Sequence, residues 1–142
     1  MARKQIVDPG WAYDKAFQYA QGMWAGNLLI LAGQCPVDAQ GATVAEGDVR
    51  GQTRQVFENL KAVLAAAGLT LDDVVEIVSY HVDMADLHAM AEVKAEYLTR
   101  DFPAWTAVGV TALAFPGQLL EIKATALAPA GRGAAPQRTR TP

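Results

Sequence analysis

Hydrophobic residues recur every three or four positions in two segments of the chain, which is the pattern of an amphipathic helix. The first predicted helix runs from Val49 to Ala67, with Asp48 as its N-cap and Gly68 as the glycine that ends it. Its apolar stripe consists of Val49, Thr53, Val56, Phe57, Leu60, Val63, Leu64 and Ala67. The second predicted helix runs from Leu87 to Leu98, has Asp86 as its N-cap, and has a stripe formed by Leu87, Met90, Val93 and Tyr97.

In several shorter segments every second residue would share one face, which is typical of strands, because successive side chains of a strand point to opposite faces. Met23-Trp24 and Leu28–Ala32 flank the turn residues Ala25-Gly26-Asn27, and this predicts a hairpin. Further strands are predicted over Val74–Val82, over Thr106–Thr111 and over a segment that places Leu120, Ile122, Ala124 and Ala126 on one face. The order of strands, helix, strand, helix and strands predicts an α+β fold, in which both helices cover one face of a mixed sheet.

The other face of this sheet has nothing to cover it. We expect that face to carry Ala107, Gly109 and Glu121, and no further helix is predicted to pack on it. A half-apolar sheet face is commonly buried by another subunit, so the pattern predicts a homo-oligomer.

Composition adds a cellular setting to this picture. With 142 residues, of which 51% are hydrophobic, the chain can bury a core, and we expect one domain over residues 1–128. Residues 129–142 lack apolar periodicity and are predicted to form a disordered tail. No uncharged apolar run, Leu28–Ala32 included, approaches the length of a membrane span, and Met1-Ala2-Arg3-Lys4 precedes no apolar segment, so we predict neither a membrane span nor a secretory signal. The lone Cys35 cannot form an internal disulfide, and the predicted location is the cytoplasm.

The charge distribution argues against nucleic acid as a partner. Three of the 12 basic residues follow Pro129, which leaves nine against 15 acidic residues and a net charge of −6 for the rest of the chain. A nucleic-acid surface requires clustered lysines and arginines, so we expect neither nucleic acid nor a membrane to be bound.

Residue spacing by itself indicates no catalytic or metal-binding site. The chain contains no glycine-rich phosphate loop, and Cys35, His81 and His88 are too few and too scattered for a metal site, so we predict no metal. We interpret each histidine as either satisfied in the core or exposed. Cys35 is interpreted as a small apolar residue.

Several collinear motifs nevertheless resemble the YjgF-like reactive-intermediate deaminases, known as the Rid family. They are Ala32-Gly33-Gln34-Cys35-Pro36-Val37, Gly47-Asp48-Val49 with Gln52–Leu60, Ala67-Gly68, Pro103-Ala104 and Leu120-Glu121-Ile122-Lys123-Ala124. The resemblance spans about residues 17 to 129. It implies a chorismate-mutase-like fold, a homotrimer with a ligand pocket at each subunit interface, and hydrolysis of enamines or imines such as 2-aminoacrylate to a keto acid and ammonia. It also implies that no metal or organic cofactor takes part.

The resemblance assigns roles to individual residues. Tyr19 and Glu121 match the family's tyrosine and glutamate, which makes them the predicted catalytic residues, with Glu121 positioning or activating water. The predicted substrate-binding residues are Trp105, Ala32, Gly33, Gln34, Cys35, Ala91 and Ala107. Three of these depart from the family, because Ala32 replaces a serine, Ala91 an asparagine and Trp105 the arginine that binds the substrate carboxylate.

The loss of that arginine changes the expected substrate. An indole has one N–H and no charge, whereas a bidentate arginine–carboxylate pair is strong and geometrically exacting. Trp105, Ala32 and Ala91 therefore predict a larger, flatter pocket for a conjugated substrate such as 2-aminomuconate, with Arg54 or Lys123 as candidate replacement cations. The alternative is a trimeric ligand-binding protein with little catalysis, which the three losses favour and the retention of Tyr19 and Glu121 opposes. RNA cleavage, to which some relatives are linked, ranks third because the body of the chain is acidic.

Overall fold

The computed structural model describes residues 4–129, which form one six-stranded sheet with helices packed on one of its faces. The strands are β1 (Gln5–Val7), β2 (Gly22–Ala25), β3 (Leu28–Leu31), β4 (Val74–His81), β5 (Ala104–Gly109) and β6 (Leu120–Leu127). The helices are α1 (Ala12–Ala16), α2 (Val49–Ala66) and α3 (Leu87–Tyr97). The strand order in the sheet is β1-β2-β3-β6-β4-β5. All neighbours are antiparallel except β4 and β5, which are parallel, so the predicted mixed α+β, chorismate-mutase-like fold is confirmed. The predicted tail lies outside the described residues, apart from Pro129.

Helix α2 forms where the apolar periodicity predicts it. The Asp48 side chain accepts a hydrogen bond from the Gly51 N–H at 3.0 Å, as an N-cap does, and Gly68 adopts a φ of 75° just after the helix. The face turned to the sheet is fully buried and includes Val56, Phe57, Leu60, Val63 and Leu64.

The alternation predicted for β4 and β6 is confirmed. Ile77, Ser79 and His81 of β4 are buried under the helices, and so are Leu120, Ile122, Ala124 and Ala126 of β6. The intervening residues of β6, which include Glu121, face the opposite side of the sheet. We call that side the open face.

The prediction that Ala107 and Gly109 lie on the uncovered face is wrong. The parallel register pairs Trp105 with Ile77, Ala107 with Ser79 and Gly109 with His81, so these β5 residues point toward the helices. Alternation in a sequence shows which residues share a face, whereas only the pairing register with a neighbouring strand decides which face that is. Strand β5 also begins and ends two residues earlier than predicted, at Ala104 and Gly109.

One short strand and one short α-helix were not predicted. Strand β1 has three residues and helix α1 has five, which is too short for a hydrophobic period to be visible. The hairpin of β2 and β3 forms as predicted, with Met23 paired to Ile30.

The open face exposes apolar side chains. Ile6 is 66% exposed, Ile30 is 40% exposed and Val108, on the far edge of the sheet, is 36% exposed. Residues 4–129 therefore leave this face uncovered, as expected from the number of predicted helices, and they contain no helix that is long and apolar enough to cross a membrane.

Candidate functional site

Glu121 and Gly33 meet on the open face beside the end of β3. The main chain of Gln34 pairs with Ile122, with N–H to O distances of 2.8 and 3.1 Å, and this pairing holds Gly33 and Cys35 on either side of the Glu121 side chain. A Cβ added at Gly33 would overlap Oε1 of Glu121. Only glycine therefore allows the half-buried carboxylate to lie against the backbone at this point.

Cys35 provides the other contact to this carboxylate. Its Sγ lies 3.6 Å from Oε2 of Glu121. Burial, together with the neighbouring carboxylate, raises the pKa of the Cys35 thiol to about 12. A thiol with this pKa stays protonated at neutral pH, so Cys35 acts as a hydrogen-bond donor to Glu121 and is a poor nucleophile.

A chain of buried amides orients Tyr19. The Nε2 of Gln34 donates to Oε1 of Gln21 at 2.6 Å, and the Nε2 of Gln21 donates both to the Asp14 carboxylate and, at 3.0 Å, to Oη of Tyr19. Both hydrogens of the Gln21 amide are thereby used, and Oη of Tyr19 receives one of them. The Tyr19 O–H consequently remains free to donate to another group.

Burial and the neighbouring carboxylates keep the Tyr19 hydroxyl protonated. Burial raises the pKa of Tyr19, and the Asp14 carboxylate raises it further. Burial also raises the pKa of Asp14, although the hydrogen bond from Gln21 opposes this shift. Glu121 and Cys35 lie close enough to Tyr19 to raise its pKa as well. We call Glu121, Gly33, Cys35 and Tyr19, together with the adjoining Ala32 and Gln34, the carboxylate cluster.

A second group of predicted site residues lies on the helix-covered face at the β5 edge. The indole N–H of Trp105 donates to Oγ of Ser79 at 2.8 Å, and Nζ of Lys94 on α3 lies 4.7 Å from the Trp105 ring centroid. Ala91 precedes Lys94 by one helical turn, and Ala107 pairs with Ser79. We call Trp105, Lys94, Ser79, Ala91 and Ala107 the indole cluster.

The two histidines take no part in a metal site within the described chain. His81 is fully buried, with Nε2 2.8 Å from Oγ of Ser79 and Nδ1 without a hydrogen-bond partner. Burial lowers its pKa, so the ring is neutral. His88 is exposed on α3. Among residues 4–129, no three His, Cys, Asp or Glu side chains are grouped closely enough to hold a metal ion.

The structure thus divides the predicted site into two parts. The carboxylate cluster brings together Glu121 and Tyr19 with four of the predicted binding residues, whereas Trp105, Ala91 and Ala107 lie on the opposite side of the sheet. A single pocket within one subunit, with Trp105 as a wall beside Glu121, is therefore excluded by the strand register. Parallel pairing with β4 places Trp105 on the same face as Ile77, under the helix layer.

Sequence reasoning did not identify several contributing residues. Asp14 and Gln21 hold Tyr19 in the segment between α1 and β2, where no helix or strand period could indicate the contact. Ser79 and Lys94 hold Trp105 across elements that are distant in the sequence, and no local pattern could have paired them.

Comparison with known proteins shows which family the chain belongs to. Residues 11–128 match the family model described as Endoribonuclease L-PSP. The crystal structure of YyfA from Yersinia pestis, described as a member of the conserved Rid protein family, superposes with a TM-score of 0.82 at 31% identity and covers 88% of this chain and 99% of YyfA. The chain belongs to the Rid family.

Other Rid family members extend the comparison. A RutC family protein of Pyrococcus horikoshii is 46% identical over 108 residues, which cover 76% of this chain and 85% of that protein. A protein of Dermatophagoides farinae named 2-iminobutanoate/2-iminopropanoate deaminase is 31% identical over 113 residues, covering 80% of this chain and 88% of the relative.

Proposed function

We propose that this Rid family protein is a deaminase that hydrolyses an enamine or imine and releases ammonia. The observation that carries the proposal is the Glu121 carboxylate, which lies half-buried against Gly33 with a protonated thiol at Oε2. Glu121 forms no ion pair with any side chain between residues 4 and 129, so its oxygens are available to water. The deaminase name of the Dermatophagoides farinae relative supports the same chemistry.

The proposed reaction needs one base that later becomes an acid. Glu121 accepts a proton from water as the water oxygen bonds to the carbon of the protonated imine, and the C=N pair of electrons moves to nitrogen, which gives a neutral carbinolamine. The protonated Glu121 returns this proton to the carbinolamine nitrogen, and the C–N bond breaks as a lone pair of the hydroxyl oxygen forms the carbonyl. The remaining hydroxyl proton leaves with the ammonia as ammonium. The free O–H of Tyr19 donates to the oxygen that is being added. An enamine first takes up a proton on carbon, which gives this protonated imine.

The position of Trp105 supports a site that is shared by two subunits. Trp105 and Glu121 face opposite sides of the sheet, so they can meet the same ligand only if they come from different molecules. Strand β5 is an edge strand, and the open face of the neighbouring copy exposes apolar residues such as Ile30 and Val108. We propose a homotrimer in which the β5 edge of one subunit approaches the carboxylate cluster of the next.

The proposed substrate is conjugated and planar, as 2-aminomuconate is. Trp105 is 37% exposed and offers a flat ring where the family's arginine would offer charge. Ala32 and Ala91 leave space that larger side chains would fill. The proposed location is the cytoplasm, and the proposed partners are the small-molecule substrate and copies of the chain itself, without nucleic acid or membrane.

Ammonia release from freshly generated enamines and imines tests this function. The panel contains 2-aminoacrylate and 2-aminomuconate, and Glu121→Gln is the control. Ammonia release from the conjugated substrate by the wild type, but not by Glu121→Gln, supports the proposal. Equal release from 2-aminoacrylate would contradict the argument from Trp105. A folded trimer that releases no ammonia but binds a conjugated acid would instead be a ligand-binding protein.

A further inference from the structure

Lys94 differs from the other basic side chains of the two long helices. Arg50 pairs with Glu92 at 2.7 Å, Arg54 with Glu96 at 3.2 Å, and Lys61 with Glu58 at 3.4 Å. Lys94 has no carboxylate partner anywhere in residues 4–129. Its Nζ lies 4.7 Å from the centroid of the Trp105 ring.

The hydrogen bond to Ser79 determines what Trp105 can offer a ligand. The indole has a single N–H, and this group already donates to Oγ of Ser79 at 2.8 Å. Trp105 therefore has no donor left, and only its ring surface remains for contact. The same hydrogen bond and the overlying Lys94 fix the plane of the ring. A ligand at this edge meets a flat apolar ring with one positive charge held over it by the flexible Lys94 side chain.

The two cationic side chains that the sequence suggested, Arg54 and Lys123, are engaged or placed elsewhere than beside Trp105. Arg54 is engaged with Glu96 on the helix layer. Lys123 lies on the open face, where it pairs in register with Val78, and is therefore on the other side of the sheet from Trp105.

We propose that Lys94 binds a carboxylate of the substrate while Trp105 stacks on the conjugated chain next to that carboxylate. The ammonium is a compact point charge on a flexible stem, so it fits a single carboxylate group and does not require the bidentate geometry of arginine. This inference rests on the proposed function, because the substrate of that function is a conjugated acid. In this arrangement Lys94 on α3 recognises the charge of the ligand, and Trp105 on β5 recognises its planar shape.

A binding experiment tests the role of Lys94 independently of catalysis. The probes are muconate, a stable conjugated dicarboxylate without the reactive nitrogen, and muconamide, its neutral diamide. Calorimetric titration compares the wild type with Lys94→Gln and Lys94→Arg. The matched control is Lys61→Gln, since Lys61 also lies 6.0 Å from an aromatic centroid, that of Tyr97, but is paired with Glu58.

The expected result is selective for charge. Lys94→Gln weakens muconate binding by about tenfold or more and leaves muconamide binding unchanged, because it removes a charged hydrogen-bond donor. Lys94→Arg retains most of the affinity, and Lys61→Gln retains all of it. With the reactive substrate, Lys94→Gln raises KM by a similar factor and leaves kcat close to that of the wild type. Size-exclusion chromatography confirms that each variant keeps the oligomeric state of the wild type.

Two results would overturn the inference. Equal muconate affinity in Lys94→Gln and the wild type would show that another group binds the carboxylate, and failure of muconate to bind the wild type at millimolar concentration would show that the subsite does not exist. Because the titration does not depend on turnover, a protein that binds muconate through Lys94 but releases no ammonia would contradict only the proposed deaminase.

Discussion

Trp105 and Glu121 lie on opposite faces of the sheet, on strands that are separated by β4. Trp105 pairs with Ile77 under the helices, whereas Glu121 pairs with Tyr80 on the open face. A small ligand cannot contact both faces of a sheet at once, so these two residues cannot bind the same ligand within one molecule. Because of the register of β4 with its two neighbours, a site that uses both residues would need two subunits.

The contact between Gly33 and Glu121 predicts that Gly33→Ala folds but loses most of its activity. The added methyl group would occupy the position of Oε1 and displace the carboxylate, and Gly33 has no unusual φ that an alanine would strain. A displacement of about 1 Å at a reacting group typically costs about a hundredfold in rate, so we expect kcat to fall by that order.

Gly109→Ala is the matched control for this variant. Its methyl group would meet only the flexible side chain of Met84, at 3.2 Å from Cγ. We expect steady-state ammonia release close to that of the wild type and unchanged thermal unfolding. A Gly33→Ala variant as active as Gly109→Ala would contradict the position assigned to Glu121.

The amide chain behind Tyr19 predicts different effects for two substitutions of Asp14. Asp14→Ala leaves an Nε2 hydrogen of buried Gln21 without an acceptor, which we expect to cost about 1–3 kcal/mol of unfolding free energy and to release Tyr19. Asp14→Asn keeps an acceptor oxygen and removes a buried charge, so we expect wild-type stability or better. Urea unfolding and kcat measure both effects. Equal losses in the two variants would show that the carboxylate charge itself is required.

The environment of Cys35 predicts a slow reaction with iodoacetamide. Because the pKa of the thiol is raised to about 12, the reactive thiolate is scarce at pH 8, and alkylation should be about a hundredfold or more slower than that of a free cysteine. Glu121→Gln removes one of the groups that raise this pKa and should accelerate the reaction, as mass spectrometry would show. Rapid alkylation of the wild type, or no acceleration in Glu121→Gln, would contradict the contact between the two side chains.

The buried His81 predicts that acid weakens the fold. Burial lowers the pKa of His81 in the folded state, while in the unfolded chain the ring takes up a proton as pH falls through about 6.5. The unfolded state then binds more protons, so this contribution to stability is complete above about pH 6.5 and is lost below it. Urea unfolding at pH 7.5 and 5.5 should show a smaller pH dependence for His81→Gln than for the wild type. An identical pH dependence would show that His81 is not the group responsible.

Local sequence patterns were sufficient for most of the fold. Helix α2 has a stripe, an N-cap at Asp48 and a glycine after its end, and all three agree with the structure. The face assigned to Glu121 is also correct, because the alternation of β6 is regular. Strand β1 and helix α1 were missed because elements of three and five residues contain too little of any period.

The arrangement of the site depended on information that is not local. Whether Trp105 faces the helices is determined by its pairing with β4, which is about 30 residues earlier in the chain. The contact of Lys94 with Trp105 joins a helix to a strand and has no counterpart in residue spacing. Motif resemblance named Glu121 and Tyr19, whereas the hydrogen bonds that give Tyr19 a free O–H became apparent only from the packed side chains.

Mixing subunits tests most directly whether two molecules build each site. Glu121→Gln and Trp105→Ala chains carrying different affinity tags are expressed together, and trimers that contain both are isolated by two successive purifications. Each variant alone should be nearly inactive in ammonia release from the conjugated substrate. In any mixed trimer one interface combines an unaltered Glu121 with an unaltered Trp105, so we expect about one third of the wild-type activity to return. Mixed trimers no more active than the two parents would contradict a site shared between subunits.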